Sequence, residues 1–163
     1  MIKIINMNVE DVRFPTSKDL TGSDAIHTDP DYSATYVTIT TSDNNLKGYG
    51  LAFTLGKGND IVAECIKHFF PLFNGLSIDE IEQNIGKLWY DCADHSQLRW
   101  LGPEKGVVHM ALAAIFNALW DLIAKKNQKP LWQFVVESKP ETIINWLTFK
   151  NIEDVLTKDD AFK

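Results

Sequence analysis

The chain has 163 residues, 45% of them hydrophobic and 23% charged, with a formal net charge of −6. That length suits one domain, or one domain and part of another, and a domain of this size buries about 70% of the surface its unfolded chain exposes. The acidic balance argues against a nucleic acid partner, which needs a basic face, and no segment reaches the ~20 consecutive apolar residues of a membrane span.

Residues 1–14 carry Ile2, Ile4, Ile5, Val9, Val12 and Phe14 and read as a strand, bent or bulged because the alternation is imperfect. Residues 15–31 form a long polar loop rich in turn formers. Loops longer than ~12–15 residues in compact domains are usually functional or disordered, and the varied composition favours function. Residues 32–41 alternate Val37 and Ile39 against Tyr36, Thr38 and Thr40, Ser42-Asp-Asn-Asn45 is turn chemistry, and residues 46–55 return as a strand. With the first strand this hairpin makes a three-stranded antiparallel meander. Gly48 and Gly50 predict close backbone approach or a bulge.

After Gly56-Lys-Gly58, Asn59 or Asp60 is expected to cap a helix from Ile61 that Pro71 ends near Phe70. Ser77-Ile-Asp-Glu80 is a capping box opening a second helix to about Asp91. Residues 106–126 are the longest apolar run. Val108, Ala111, Leu112, Ile115, Ala118, Leu119 and Leu122 share one helical face; His109, Ala113, Phe116, Trp120 and Ile123 make a second. Only Asn117, Asp121 and Lys125 remain as a narrow polar stripe, so this helix is expected at the centre of the fold. Residues 130–136 and 141–149 read as short helices, and Thr157-Lys-Asp-Asp160 as a further helix start, three residues before Lys163. A capped start without a body reads as a chain cut short. The expected fold class is α+β: a three-stranded antiparallel meander followed by a helical bundle, residues 1–139, with 140–163 as a residual segment.

Cys65 and Cys92 form neither a disulfide framework nor a CxxC metal motif, and no secretory pattern opens the chain. An intracellular protein is expected, with cytoplasm and mitochondrion both open. Asp91-Cys92-Ala-Asp94-His95 gathers a thiol, two carboxylates and an imidazole, but no second cluster stands at ligand spacing, so it reads as a polar helix end. His109, on an apolar face, reads as a hydrogen-bonded core histidine. Gly56-Lys-Gly58 before a helix could offer backbone N–H groups to an anion, yet lacks P-loop spacing. For Arg99-Trp100 beside Gly102-Pro103-Glu-Lys105, binding and loop packing are equally open. In the long loop, Gly22-Ser-Asp24, His27, Asp29, Asp31 and Tyr32 offer groups suited to a polar, hydroxylated ligand, against the alternative of a solvated loop.

The meander, the Leu46-Lys-Gly-Tyr-Gly50 return, and Ala114-Ile-Phe-Asn-Ala-Leu-Trp-Asp-Leu-Ile-Ala-Lys125 followed by Lys129-Pro-Leu-Trp132 resemble the N-terminal capping domain of the enolase superfamily, mandelate racemase/muconate lactonizing branch. Within it, Asp11-Val-Arg-Phe-Pro-Thr-Ser17, Ser23-Asp-Ala-Ile-His-Thr-Asp-Pro-Asp-Tyr-Ser33, Thr54-Leu-Gly-Lys-Gly58 and Gln97-Leu-Arg-Trp-Leu-Gly-Pro-Glu-Lys-Gly-Val-Val-His109 are most similar to the L-fuconate dehydratases. The match runs from about Val9 to the Val155-Leu-Thr157 region and weakens after Ile143.

The resemblance implies a cap over a (β/α)₇β barrel. In the family that barrel supplies three acidic Mg²⁺ ligands, a Lys-x-Lys motif and a His–Asp pair, and it dehydrates a sugar acid to a 2-keto-3-deoxy product. This chain contains no Lys-x-Lys and no acids at strand-end spacing. No catalytic residue or metal ligand is therefore expected in it, and Mg²⁺ is expected only in the full-length enzyme. What carries over is substrate contact by Gly22, Ser23, Asp24 and Tyr32 when a barrel is present, with Ser23 standing where the family has Ala. Residues 54–58 correspond to a second capping loop shaping the same cavity. Two functions are expected from this: the cap of an L-fuconate dehydratase-like enzyme, truncated and inactive by itself, or a non-catalytic module that self-associates or pairs with a full-length subunit.

Overall fold

The computed structural model describes residues 1–102, 104 and 106–163. Pro103 and Lys105, part of the loop beside Arg99-Trp100, lie outside the described residues. The period-2 pattern around Val37 and Ile39 produces strand β2 (Ser33–Thr41), paired antiparallel on one side with β1 (Ile4–Val12) and on the other with β3 (Lys47–Thr54). The register places Val37 opposite Val9 and Gly50, and Ile39 opposite Met7 and Gly48. A register shift between Ile4 and Asn6 is the irregularity expected from the imperfect alternation of β1. One sheet face carries Ile4, Met7, Val37, Ile39 and Ala52 into the core; the other leaves Tyr36, Tyr49, Leu51 and Phe53 exposed.

Among the described residues six α-helices follow: α1 (Asn59–Phe73), α2 (Ile78–Ala93), α3 (Val107–Lys126), α4 (Leu131–Val136), α5 (Pro140–Trp146) and α6 (Lys158–Ala161). The α+β arrangement of meander then helices is the one expected. The capping box at Ser77 and Glu80 starts α2 as predicted, with both reciprocal hydrogen bonds present.

Helix α3 lies across the inner face of the sheet, and the two glycines of β3 explain how closely. A Cβ on Gly48 would lie 2.2 Å from the Ala118 carbonyl oxygen, and one on Gly50 would lie 2.1 Å from that of Ala114. Strand backbone therefore rests on helix backbone, which the small Ala114 and Ala118 permit. Another face of α3 meets aromatic side chains. Phe116 sits edge-on to Phe73 at 5.8 Å and to Trp89 at 5.1 Å. By length and composition α3 could cross a membrane, but here most of its apolar residues are buried in the fold.

Two local expectations are corrected. Helix α1 begins at Asn59, not Ile61, and its N-cap is Gly58 in the left-handed region (φ 87°), with no side-chain cap. The Asn59 side chain instead turns inward, fully buried. Its amide donates to Asp11 at 2.7 Å and to the Ala34 carbonyl at 3.3 Å, while its oxygen accepts from the hydroxyls of Thr35 and Thr54. One side chain thus joins all three strands to the helix. Pro71 does not end α1 near Phe70, because burial of Phe73, 0% exposed, holds the last turn in place. An exposed proline in that turn forfeits one hydrogen bond, which tertiary packing outweighs.

Helix α5 packs back onto α2. The Trp146 indole donates to the Glu82 carbonyl at 3.2 Å, and its ring meets Trp120 at 5.1 Å and Phe134 at 5.8 Å. Gly86 makes room, since a Cβ there would lie 2.3 Å from the Trp146 carbonyl oxygen.

Candidate functional site

The long loop of residues 15–31 leaves β1 and re-enters β2, and side-chain hydrogen bonds replace the strand ladder at its neck. The Thr16 hydroxyl donates to the Pro30 carbonyl at 2.7 Å and accepts from the Tyr32 N–H at 3.0 Å. The Ser17 N–H donates to the Asp31 carboxylate at 3.0 Å. Just below, the Ser33 hydroxyl donates to the Asp31 carbonyl at 2.7 Å. Such Asx- and ST-type contacts are how Ser, Thr and Asp order backbone outside regular structure.

At the tip, Gly22 adopts φ 75° and its carbonyl accepts from the Tyr32 hydroxyl at 2.8 Å. The tyrosine ring occupies the space a side chain at residue 22 would need: a Cβ there would lie 2.0 Å from it. Ser23 follows, its hydroxyl oxygen buried and without a hydrogen-bond partner among the described residues. Asp24 closes the turn, accepting from the Ile26 N–H at 2.7 Å and the His27 N–H at 2.6 Å, with its second oxygen 3.2 Å from His27 Nδ1. The backbone N–H of His27 foremost, then that of Ile26, holds the Asp24 carboxyl below its ordinary value. The structure thus brings Gly22 and Tyr32 into direct contact and sets Ser23 and Asp24 on the same turn. Asp24 spends one oxygen on its own backbone.

Residues 54–58 lie against this loop. The Asp31 N–H donates to the Leu55 carbonyl at 3.3 Å. Gly56, at φ 98°, approaches so near that a Cβ would lie 2.8 Å from Asp31 Cβ. The Tyr32 ring stacks on Phe53 at 5.7 Å and 28°. Neither Thr16 nor Phe53 stood out in the sequence, and Asp31 was one hydrogen-bonding group among many. The available signal was the position of Thr16 and Asp31 at opposite ends of one polar loop.

The other candidates resolve differently. The N–H groups of Asn59, Ile61 and Val62 already donate to the carbonyls of Gly56 and Gly58, so these three are not free to cradle an anion at the start of α1. In the 91–95 cluster, Asp91 pairs with Lys87 and Asp94 with Lys150. Burial, then the Asp91 charge, pushes the Cys92 thiol up to about 11. A polar helix end describes it. His109 corrects its expectation: the ring lies edge-on to Trp89 at 5.9 Å, but Nδ1 is buried without a partner among the described residues. Beside it Trp89, Arg99, His109 and Lys150 border an open cavity of about 470 Å³. Among the described residues no three His, Cys, Asp or Glu side chains are placed to hold a metal ion. The family's Mg²⁺ therefore does not fit onto them.

Comparison with known proteins places the fold in a family. Residues 17–135 match the family described as mandelate racemase/muconate lactonizing enzyme, N-terminal domain. Mitochondrial enolase superfamily member 1 of Xenopus laevis is 46% identical over 162 residues, covering 99% of this chain and 36% of that protein. L-galactonate dehydratase of Hypocrea jecorina is 44% identical over 160 residues, covering 98% and 35%. The crystal structure of human mitochondrial enolase superfamily member 1 superposes with a TM-score of 0.91 at 44% identity, over 98% of this chain and 36% of that one. L-talarate dehydratase of Polaromonas, solved with Mg and L-glucarate, shares the fold at a TM-score of 0.62 and 18% identity, over 86% and 34%. This chain spans a little over a third of the length of the relatives it matches. It belongs to the mandelate racemase/muconate lactonizing enzyme family of the enolase superfamily, whose N-terminal domain it comprises.

Proposed function

We propose that this chain is the substrate-contacting cap of a sugar-acid dehydratase of the L-fuconate type, and that the 163 residues by themselves carry no turnover. One observation carries the reading: a polar loop with Gly22, Ser23, Asp24 and Tyr32 at its tip is tied at its neck and set against a second loop. Relatives that include an L-galactonate dehydratase support a hydroxylated carboxylic acid as the ligand class.

In this reading the residues bind, orient and exclude water; none is assigned a chemical step. The Tyr32 hydroxyl presents its lone pairs beside Gly22, and the outer oxygen of Asp24 can accept from a sugar hydroxyl. Ser23 offers a hydroxyl not yet committed to any partner among the described residues. Such a surface discriminates strongly, because a ligand lacking the matching hydroxyl leaves polar groups buried and unpaired.

The test has two arms. The chain incubated with L-fuconate and Mg²⁺ is expected to yield no 2-keto-3-deoxy acid, and turnover would overturn the non-catalytic part. Fused to a relative's catalytic barrel, Asp24→Ala is expected to raise KM about tenfold with kcat little changed, a loss of about 1.4 kcal/mol of binding. An unchanged KM would overturn the contact.

A second reading is a non-catalytic module that pairs with itself or with a full-length subunit. The outer sheet face favours it, with Tyr49 55% and Phe53 58% exposed on the same face of β3 and Leu51 between them. Light scattering that shows a monomer, and no co-purifying subunit, would remove it.

A further inference from the structure

We propose that Asp31 joins the two loops into one mechanical unit, so that residues 15–32 and 54–58 open and close together and not as separate flaps. Besides its carbonyl, which accepts from Ser33, Asp31 makes three contacts that bear on the two loops. Its carboxylate accepts from the Ser17 N–H at 3.0 Å, which locks the outgoing arm of the first loop to the returning arm. Its own N–H donates to the Leu55 carbonyl at 3.3 Å, which fastens that neck to the second loop. Its Cβ packs on Gly56, where the left-handed backbone and the absence of a side chain allow the approach.

The flanking residues repeat the pattern. Thr16 and Pro30 close the neck on one side, and Tyr32 stacks on Phe53 at the end of β3 on the other. Beyond Gly56, the Asn59 N–H donates to the Gly56 carbonyl, so the second loop is seated on α1.

The Asp31 side chain is the part that can be changed without touching the tip. At the tip, Asp24 holds its turn through separate bonds to the Ile26 and His27 N–H groups. Local segments that share bonds of this kind open as one cooperative unit, whereas independent loops open with independent free energies. Asp31 is a positioning residue in this scheme and is not placed in contact with ligand. The coupling is a property of the fold, and only its bearing on substrate capture rests on the function proposed above.

Native-state hydrogen exchange on the unmodified 163-residue chain tests the coupling directly. The amides of Ser17, Asp31, Tyr32 and Asn59 are expected to share one opening free energy and one denaturant dependence. Two distinct values, one for Ser17 and Tyr32 and another for Asn59, would overturn the proposal. Asp31→Ala is expected to speed exchange at all four positions by tenfold or more with the thermal midpoint of the core little changed. Asp31→Asn, which keeps an acceptor oxygen for Ser17, is expected to restore most of the protection. Asp24→Ala should speed only Ile26 and His27. If Asp31→Ala loosens the first loop alone, the loops are uncoupled and the proposal fails, while the dehydratase reading stands on its own kinetic test.

Discussion

The carboxylate of Asp121 on α3 accepts a hydrogen bond from the backbone N–H of Tyr49 on β3 at 2.8 Å. Beside it, Lys125 pairs with Asp121 at 2.6 Å, donates to the Lys47 carbonyl at 2.9 Å and lies 4.4 Å over the Tyr49 ring. The polar stripe of an otherwise apolar helix therefore completes the free edge of the sheet, supplying the groups a fourth strand would have supplied. The opposite edge is treated likewise, since Ile4 exchanges backbone hydrogen bonds with Leu76 and Gly75 in the turn between α1 and α2. Open strand edges invite pairing with other chains, and both are blunted here.

Asp121→Ala should lower stability by about 1 kcal/mol, the typical net worth of one hydrogen bond, since partial exposure of the carboxylate offsets the extra strength of a charged acceptor. Asp121→Asn, which retains an acceptor, should lose less. Urea denaturation distinguishes them, and identical midpoints for both variants and the parent would count against the edge-sealing role.

Gly50→Ala and Gly58→Ala separate two reasons for glycine. At Gly50 a methyl group would meet the Ala114 carbonyl, so a loss of about 3 kcal/mol or failure to fold is expected. At Gly58 nothing lies within 4 Å and only the φ of 87° is unfavourable, so about 1 kcal/mol is expected. Thermal midpoints ranked in the opposite order would refute the backbone contact.

Asn59→Ala should lower stability by about 3 kcal/mol, because it strips partners from Thr35 and Thr54 inside the core. A mere helix cap would lose about 1 kcal/mol. Equilibrium unfolding of this variant therefore reports which role the residue has.

That contrast shows where the sequence was readable. The face of α3, the capping box at Ser77 and the glycine track of β3 were legible because each is written in local spacing. Asn59 was not: an Asn after Gly-Lys-Gly looks like a cap, and its partners Asp11, Ala34 and Thr35 are more than twenty residues away. Asp121 was visible as part of a stripe, but its use depends on Tyr49, 72 positions earlier. At the candidate site the loop's length and turn chemistry marked it, whereas the contacts of Tyr32 with Gly22 and of Asp31 with Leu55 required the fold.

The tip of the first loop should respond to acid. Because hydrogen bonds from His27 and Ile26 hold the Asp24 carboxyl below its ordinary value, the ordering it provides is complete above about pH 3.9, where the unfolded carboxylate ionises. It is lost as pH falls through the lowered folded value. The hydrogen-exchange protection of the Ile26 and His27 amides, not their resonance positions, which the neighbouring imidazole also moves, should hold steady from neutral pH to about 4 and fall only below it. Loss of protection well above that range would show that the turn depends on another group.

Neither cysteine should react in the native chain at neutral pH. Burial raises the Cys65 thiol, and burial with the Asp91 charge takes Cys92 to about 11, so thiolate is scarce at both. Iodoacetamide should label both in urea and neither without it; rapid native labelling of Cys92 would reopen the 91–95 cluster as a reactive site.

The contact of β3 with α3 has a further consequence for how this domain can vary. Where Gly48 and Gly50 rest on Ala118 and Ala114, no side chain stands between the two backbones to absorb a change of length. Adding or removing a single residue in either element would bring a Cβ onto a carbonyl oxygen along the whole contact. Insertions are tolerable in the loop between β1 and β2 and after α3, and excluded from this track. The loop between β1 and β2 is thereby the segment free to diverge, while the frame that carries it cannot drift.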